Sequence, residues 1–279
     1  MKRLAQTPTD FTRSNPTMKK AKYVHGTSPE EQARLAELNA LTNPKFIEFL
    51  RVRPTDLVLE IGAGLGILAS QVADVASAGD VLAVEFSPEQ IARRHGCRLN
   101  LHFIRGDAHQ LPFADNTFDV VFCRYVLEHM ADAPHVIREA HRVLKPGGRF
   151  LAQENNIAVN FFYPDCPKFE PVWLKLAELQ EKLGADALVG KKLFSYFKQA
   201  GFRSTEISLA EEFHHAGMPS FKFWVENLAR IIQASREDFI RFGMLTGEQI
   251  DEGLAEASRF VELDDAADYF YWNRAVGTK

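Results

Sequence analysis

The run Val58-Leu59-Glu60-Ile61-Gly62-Ala63-Gly64-Leu65-Gly66 is where the chain first declares chemistry. Three alternating glycines let a backbone turn sharply and approach a ligand closely, because no Cβ stands in the way. An acid, Glu85, follows Gly62 by 23 residues, and a carboxylate at that station can take both hydroxyls of a ribose. Gly106-Asp107-Ala108 is a third station, where a carboxylate can accept from the exocyclic amine of adenine. The three read together as a nucleoside-binding set. Their alternatives are a solvated strand-end charge for Glu85 and a loop cap for Asp107. The spacing Gly62-x-Gly64-x-Gly66 departs from the dinucleotide fingerprint G-x-G-x-x-G, because Ile67 stands at the place of its third glycine. That counts against a nicotinamide-dependent oxidoreductase. The Lys-Ser/Thr of a phosphate-cradling loop is also missing.

The elements that must hold these residues alternate. Val58, Leu59 and Ile61 suit a parallel strand covered on both faces. Strands are expected at 57–61, 81–85, 101–105, 117–123 and 149–154, and helices at 65–76, after the Ser87-Pro88-Glu89-Gln90 cap, and at 134–144. Strands alternating with helices imply right-handed βαβ units and a parallel sheet. Upstream, Ser28-Pro29-Glu30-Glu31 caps a helix carrying Leu35, Leu38 and Leu41, and a second short helix follows Pro44 with Phe46, Phe49 and Leu50. After Glu154 the rhythm breaks. Residues 155–171 show no period, helices are expected at 172–183 and 190–200, and Gly201-Phe202 enters a strand that ends near Phe213. Residues 214–265 read as mainly helical, and the last strand, 268–276, alternates aromatic and apolar residues.

At 279 residues the chain can bury one large core, or a core and a small cap. A net charge of −4 offers no electrostatic argument for nucleic acid or an anionic membrane. No apolar run approaches a membrane span, and the polar, basic segment Met1–Lys22 lacks a signal-peptide core, so a cytoplasmic protein is expected. Three scattered cysteines without CxxC argue against a disulfide framework or zinc knuckle, and the histidines form no HExxH, so no metal is expected.

In order, Glu60-x-Gly62-x-Gly64-x-Gly66, Glu85, Gly106-Asp107-Ala108, Leu111-Pro112-Phe113 with Phe118-Asp119, Leu127-Glu128-His129 and Leu144-Lys145-Pro146-Gly147-Gly148 resemble the class I S-adenosylmethionine-dependent methyltransferases. The nearest branch is that of the ubiquinone/menaquinone-biosynthesis and related small-molecule enzymes. The likeness is strong over about residues 44–154. It implies an α/β fold, Rossmann-like and doubly wound, with a mostly parallel seven-stranded sheet, an antiparallel last strand and helical cap insertions. A flexible leader at 1–22, lid helices at 23–55, a donor-binding core at 56–154 and a C-terminal half at 155–279 follow, with insertions at about 155–190 and 214–265. The implied cofactor is S-adenosyl-L-methionine, leaving as S-adenosyl-L-homocysteine. By the same resemblance, Glu60 and the turn Gly62-Ala63-Gly64 face its methionine part, Phe86 packs on adenine beside Ala108, and the Arg124 backbone meets the amino-acid end. Gln90 joins this set, and Tyr23 closes over the site.

The reaction so implied is displacement at a sulfonium methyl carbon. An oxygen acceptor would need a base, and His129, Glu154, His214 and His215 are the candidates, none singled out by spacing. His129 also reads as a packing histidine. The absence of Asn-Pro-Pro-Tyr after Cys123 and of a Pro-Cys nucleophile there argues against enzymes of amide, adenine or cytosine methylation. The aromatics of Phe161-Phe162-Tyr163 and Phe221-Lys222-Phe223-Trp224 read first as core. Caps after strands five and six suit a small, flat or lipophilic acceptor taken by a monomer or homodimer. A catalytically silent cofactor-binding protein of the same fold is the other reading.

Overall fold

The computed structural model describes residues 29–279. The leader at 1–22, Tyr23 and the Ser28 cap lie outside the described residues. The chain enters as helix α1 (Pro29–Leu50) and continues through β1 (Leu57–Ile61), α2 (Ile67–Val75), β2 (Asp80–Glu85), α3 (Pro88–Ala92) and β3 (Leu101–Arg105). It then forms β4 (Phe118–Arg124), α4 (Ala133–Val143) and β5 (Leu144–Glu154). These five strands are parallel, in the order β3-β2-β1-β4-β5. The chain winds outward from β1 to β3 and then returns to place β4 on the other side of β1. At such a reversal the crossovers diverge and leave a crevice beyond the strand ends.

Apolar runs in the central strands are explained by cover on both faces. Phe46 and Leu50 of α1 and Leu68 and Val72 of α2 pack on Val58, Val81 and Phe122. Val136 and Ile137 of α4 pack on the opposite face, with Leu59, Val121 and Phe150.

Beyond β5 come β6 (Phe161–Tyr163), α5 (Phe169–Lys182), α6 (Leu193–Gln199) and β7 (Ser204–His215). Helices α7 (Phe221–Ala234), α8 (Arg236–Arg241) and α9 (Gly247–Phe260) lead to β8 (Ala267–Thr278). Strand β8 lies antiparallel between β5 and β7, pairing Leu151↔Val276 and Glu206↔Val276. The sheet is thus mostly parallel, Rossmann-like and doubly wound, with eight strands among the described residues where seven were expected. The addition is β6, three residues within the stretch that shows no period. It exists because β5 stops opposite Asn273, leaving the first residues of the long β8 without a partner on that side. Phe161, Phe162 and Tyr163 supply one, opposite Tyr269, Asp268 and Ala267.

The upstream segment differs as well. Where Pro44 was expected to separate two helices, α1 runs through it. A proline removes one backbone donor, and here side chains hold the turn that precedes it. Thr42 Oγ1 donates to Leu38 O at 2.8 Å, and Arg124 of β4 donates to Asn39, Thr42 and Asn43.

The cap is a small helical layer with its own core. Trp173 and Leu176 of α5, Trp224 and Leu228 of α7, and Phe260 of α9 pack together and onto Phe270 and Trp272 of β8. The alternation of β8 thus serves this layer as well as the sheet.

Candidate active site

A cavity of about 190 Å3 lies at the C-terminal ends of β1 and β4, beneath the cap. The glycine turn forms one wall. Its backbone is fastened to β2, since Gly62 and Ala63 N–H both donate to Val84 O, at 2.9 and 3.0 Å. Gly62 and Gly64 have φ of 72° and 53°, a region that favours glycine. A Cβ on Gly62 would stand 2.6 Å from Val126 Cγ2, whereas one on Gly64 would meet nothing within 4 Å. The first glycine admits the loop after β4, and the second leaves space beside the cavity.

Glu85, at the end of β2, is fixed against this turn. Its Oε2 accepts from Gly64 N at 2.8 Å and its Oε1 from Ser87 N at 2.8 Å. Ser87 in turn caps α3, its Oγ accepting from Gln90 N at 3.2 Å, and Gln90 reaches the cavity wall. Glu85, Phe86, Asp107 and Ala108 do not border this cavity. They lie on the neighbouring ends of β2 and β3 and carry the site toward solvent, with Phe86 51% exposed. Asp107 Oδ1 accepts from His109 N at 2.9 Å and sits 2.9 Å from His109 Nδ1. Those bonds hold the Asp107 carboxyl below the usual carboxylate range.

Glu60 and Arg124 face the cavity from adjacent strands. Glu60 Oε2 is buried with no hydrogen-bond partner among the described residues. Burial pushes the Glu60 carboxyl up to about 8, although Arg124 pulls it down. Arg124 was expected to present its backbone. The structure adds a half-buried guanidinium bonded to α1 and lying 5.2 Å from the Phe46 ring centroid. Next to it Tyr125 adopts φ 57°, a left-handed conformation uncommon for a bulky residue. It is held by Tyr125 N–H to Gln153 O at 3.0 Å, by Gln153 Nε2 to its hydroxyl at 2.8 Å, and by the Trp272 ring at 4.2 Å.

The four candidate bases separate. His129 lies in the 3-10 turn Leu127–His129 and borders the cavity, and burial pushes it down to about 4, so it is neutral at neutral pH. Glu154 is engaged as an anchor. Its carboxylate accepts from the N–H groups of Val126, Leu127 and Glu128, at 3.2, 3.1 and 3.4 Å, and shapes the turn that carries His129. His214 stacks on Trp224 with ring centroids 4.4 Å apart and does not border the cavity. His215 is exposed, with Nδ1 2.7 Å from Ala216 O.

Several wall residues escaped the sequence reading. Glu128, within Leu127-Glu128-His129, is buried at the cavity wall, and burial beside Glu154 pushes it up to about 8. Asn155, Gln180 of α5 and Asn227 of α7 add polar groups. All three tryptophans of the chain, Trp173, Trp224 and Trp272, stand around the same space, although they come from three separate elements. Trp224 stands in the aromatic run read first as core, and for the other two the rarity of tryptophan was the available signal.

A family model described as a methyltransferase domain matches residues 59–152. The chain is 36% identical over 127 residues to a demethylmenaquinone methyltransferase of Beutenbergia cavernae, covering 46% of this chain and 50% of that protein. It is 30% identical over 191 residues to a demethylmenaquinone methyltransferase of Symbiobacterium thermophilum, covering 59% and 75%. The chain spans about half the length of the first curated relatives it matches. In three dimensions it resembles the YcgJ protein of Bacillus subtilis, with a TM-score of 0.57 and 18% identity over 86% of this chain and 98% of that one.

Proposed function

The chain belongs to the class I S-adenosylmethionine-dependent methyltransferases, in the ubiquinone/menaquinone-biosynthesis branch, and on that basis we propose that it methylates an O, N or C atom of a small, flat or lipophilic molecule. The observation that carries this reading is the continuity of the cavity. It runs from the glycine turn and Glu60 at the β1/β4 reversal to the tryptophans of the cap.

The residues present fit S-adenosylmethionine. Glu60 offers a buried, unpartnered carboxylate oxygen among the described residues, where the donor's ammonium group can be received. The space beside Gly64 admits the methionine chain, with Ala63, Gly62 and the Arg124 backbone around it. Glu85 is positioned for the ribose hydroxyls, and Phe86, Asp107 and Ala108 for the adenine. Gln90 closes the side of α3. Tyr23 and the lid at 23–55 belong to the same proposal. When bound, the donor supplies a methyl group already activated by a sulfonium charge. The chain's own residues therefore contribute mainly alignment and exclusion of water, and orientation of this kind is worth roughly 7–11 kcal/mol. The division of labour follows: residues 56–154 bind the donor, and the insertions at about 155–190 and 214–265 supply much of the acceptor wall, joined by Glu128 and Trp272.

Calorimetric titration with S-adenosylhomocysteine tests the reading. We expect micromolar or tighter binding, weakened about tenfold or more by Glu85→Ala through loss of the ribose contacts. No binding to the unaltered protein would sink the proposal. Binding without turnover on phenols, amines and activated carbons would leave a silent protein of the same fold.

A further inference from the structure

The cap end of the cavity sets buried acceptor oxygens beside indole rings. Gln180 is 1% exposed, and its Oε1 is buried with no hydrogen-bond partner among the described residues. Asn155 Oδ1 is in the same position, while Asn155 Nδ2 donates to Glu128 Oε2 at 3.4 Å. Glu128 is 4% exposed. The backbone brings these residues together: Ala185 N–H donates to Gln180 O at 2.8 Å, and Asp186 N–H donates to Glu128 O at 2.8 Å, so one short loop ties the end of α5 to the turn after β4. Amide oxygens buried without donors carry a desolvation cost, and a ligand rich in N–H groups removes it.

The walls around them are aromatic. Trp173, Trp224 and Trp272 border the space, and Trp173 is immobilised by its Nε1–H bond to Ile157 O at 2.9 Å. Indole faces carry negative quadrupolar potential and attract cations, most strongly when water is excluded. Acceptor oxygens, a carboxyl group and an aromatic box select the same kind of ligand. Arg124, the cation at the wall among the described residues, is committed to Asn39, Thr42 and Asn43 of α1.

We propose that the acceptor is a primary or secondary amine with a lipophilic body, its nitrogen held by Glu128, Gln180 and Asn155 within the three tryptophans. This deepens the methyltransferase reading and rests on it, because it assigns the acceptor atom of the same site. Trp272 Nε1, also unpartnered among the described residues, can donate to a second polar atom of that molecule.

Matched probes test it: 2-phenylethylamine against 2-phenylethanol, titrated into the full chain saturated with S-adenosylhomocysteine and followed by tryptophan fluorescence. The amine is expected to bind about tenfold tighter than the alcohol. Glu128→Gln should remove most of that preference while S-adenosylhomocysteine affinity stays within about twofold. Gln180→Leu should reduce the preference independently, which guards against a folding defect in either variant. Equal binding, a preference for the alcohol, no amine binding at millimolar concentration, or an unchanged preference in both variants would overturn the inference. Failure of S-adenosylhomocysteine itself to bind would instead strike the methyltransferase reading.

Discussion

At Gly62 and Gly64 the same residue type answers two different demands. Gly62 is compressed against Val126, so Gly62→Ala should cost about 1–3 kcal/mol in a denaturant titration. Gly64 faces open space, and Gly64→Ala carries only the backbone strain of its φ, about 1 kcal/mol, while its methyl group enters the proposed donor site. We expect Gly64→Ala to weaken S-adenosylhomocysteine binding more than it lowers stability, and Gly62→Ala to lower stability outright. The glycines were legible in the sequence because their spacing alone implies the turn. Their separate roles were not, because what lies opposite each is set by the loop after β4. The same limit applies to Glu154: a strand-end acid looks available in sequence, but three backbone N–H groups already claim it.

Among the elements, α1 shows how a long-range contact overrides a local signal. Pro44 predicts a break, yet Arg124 holds Asn39, Thr42 and Asn43 before it and lies over the Phe46 ring after it. Arg124→Lys keeps the charge but loses the planar fork, and we expect it to destabilise α1 by about 2 kcal/mol. Hydrogen exchange should show faster exchange in α1 with β4 unchanged. Equal exchange in both proteins would remove the assigned role of Arg124. The first four strands of the donor half were read almost to the residue, since burial on both faces writes an uninterrupted apolar run, whereas β5 begins at Leu144, five residues before its expected start. Strand β6 was invisible because its pairing depends on where β5 ends and how far β8 continues.

Across the whole molecule, four buried acids share one electrostatic consequence. Burial pushes Glu60, Glu128 and Asp268 up to about 8 and Glu154 up to about 7, against roughly 4 for carboxyls of an unfolded chain. Between those values the folded protein binds more protons than the unfolded chain, so stability falls as pH rises. The thermal unfolding midpoint of the ligand-free protein should therefore drop from about pH 6 to about pH 9, and Glu60→Gln should flatten part of that slope. A midpoint that rises over this interval would show that these acids ionise freely in the fold. The pH response belongs to the tertiary structure, because each acid becomes costly only when its neighbours exclude water. The order of glycines, strand-end acids and Leu-Lys-Pro-Gly-Gly did determine the family, the winding of the sheet and the stations proposed for the donor, since that chemistry is local to successive strand ends. The acceptor wall draws on Tyr125, Glu128, Asn155, Trp173, Gln180, Trp224 and Trp272, residues far apart in the chain with no shared period. Packing of the cap helices onto β8 brings them together, so only the folded chain could decide what this cavity holds.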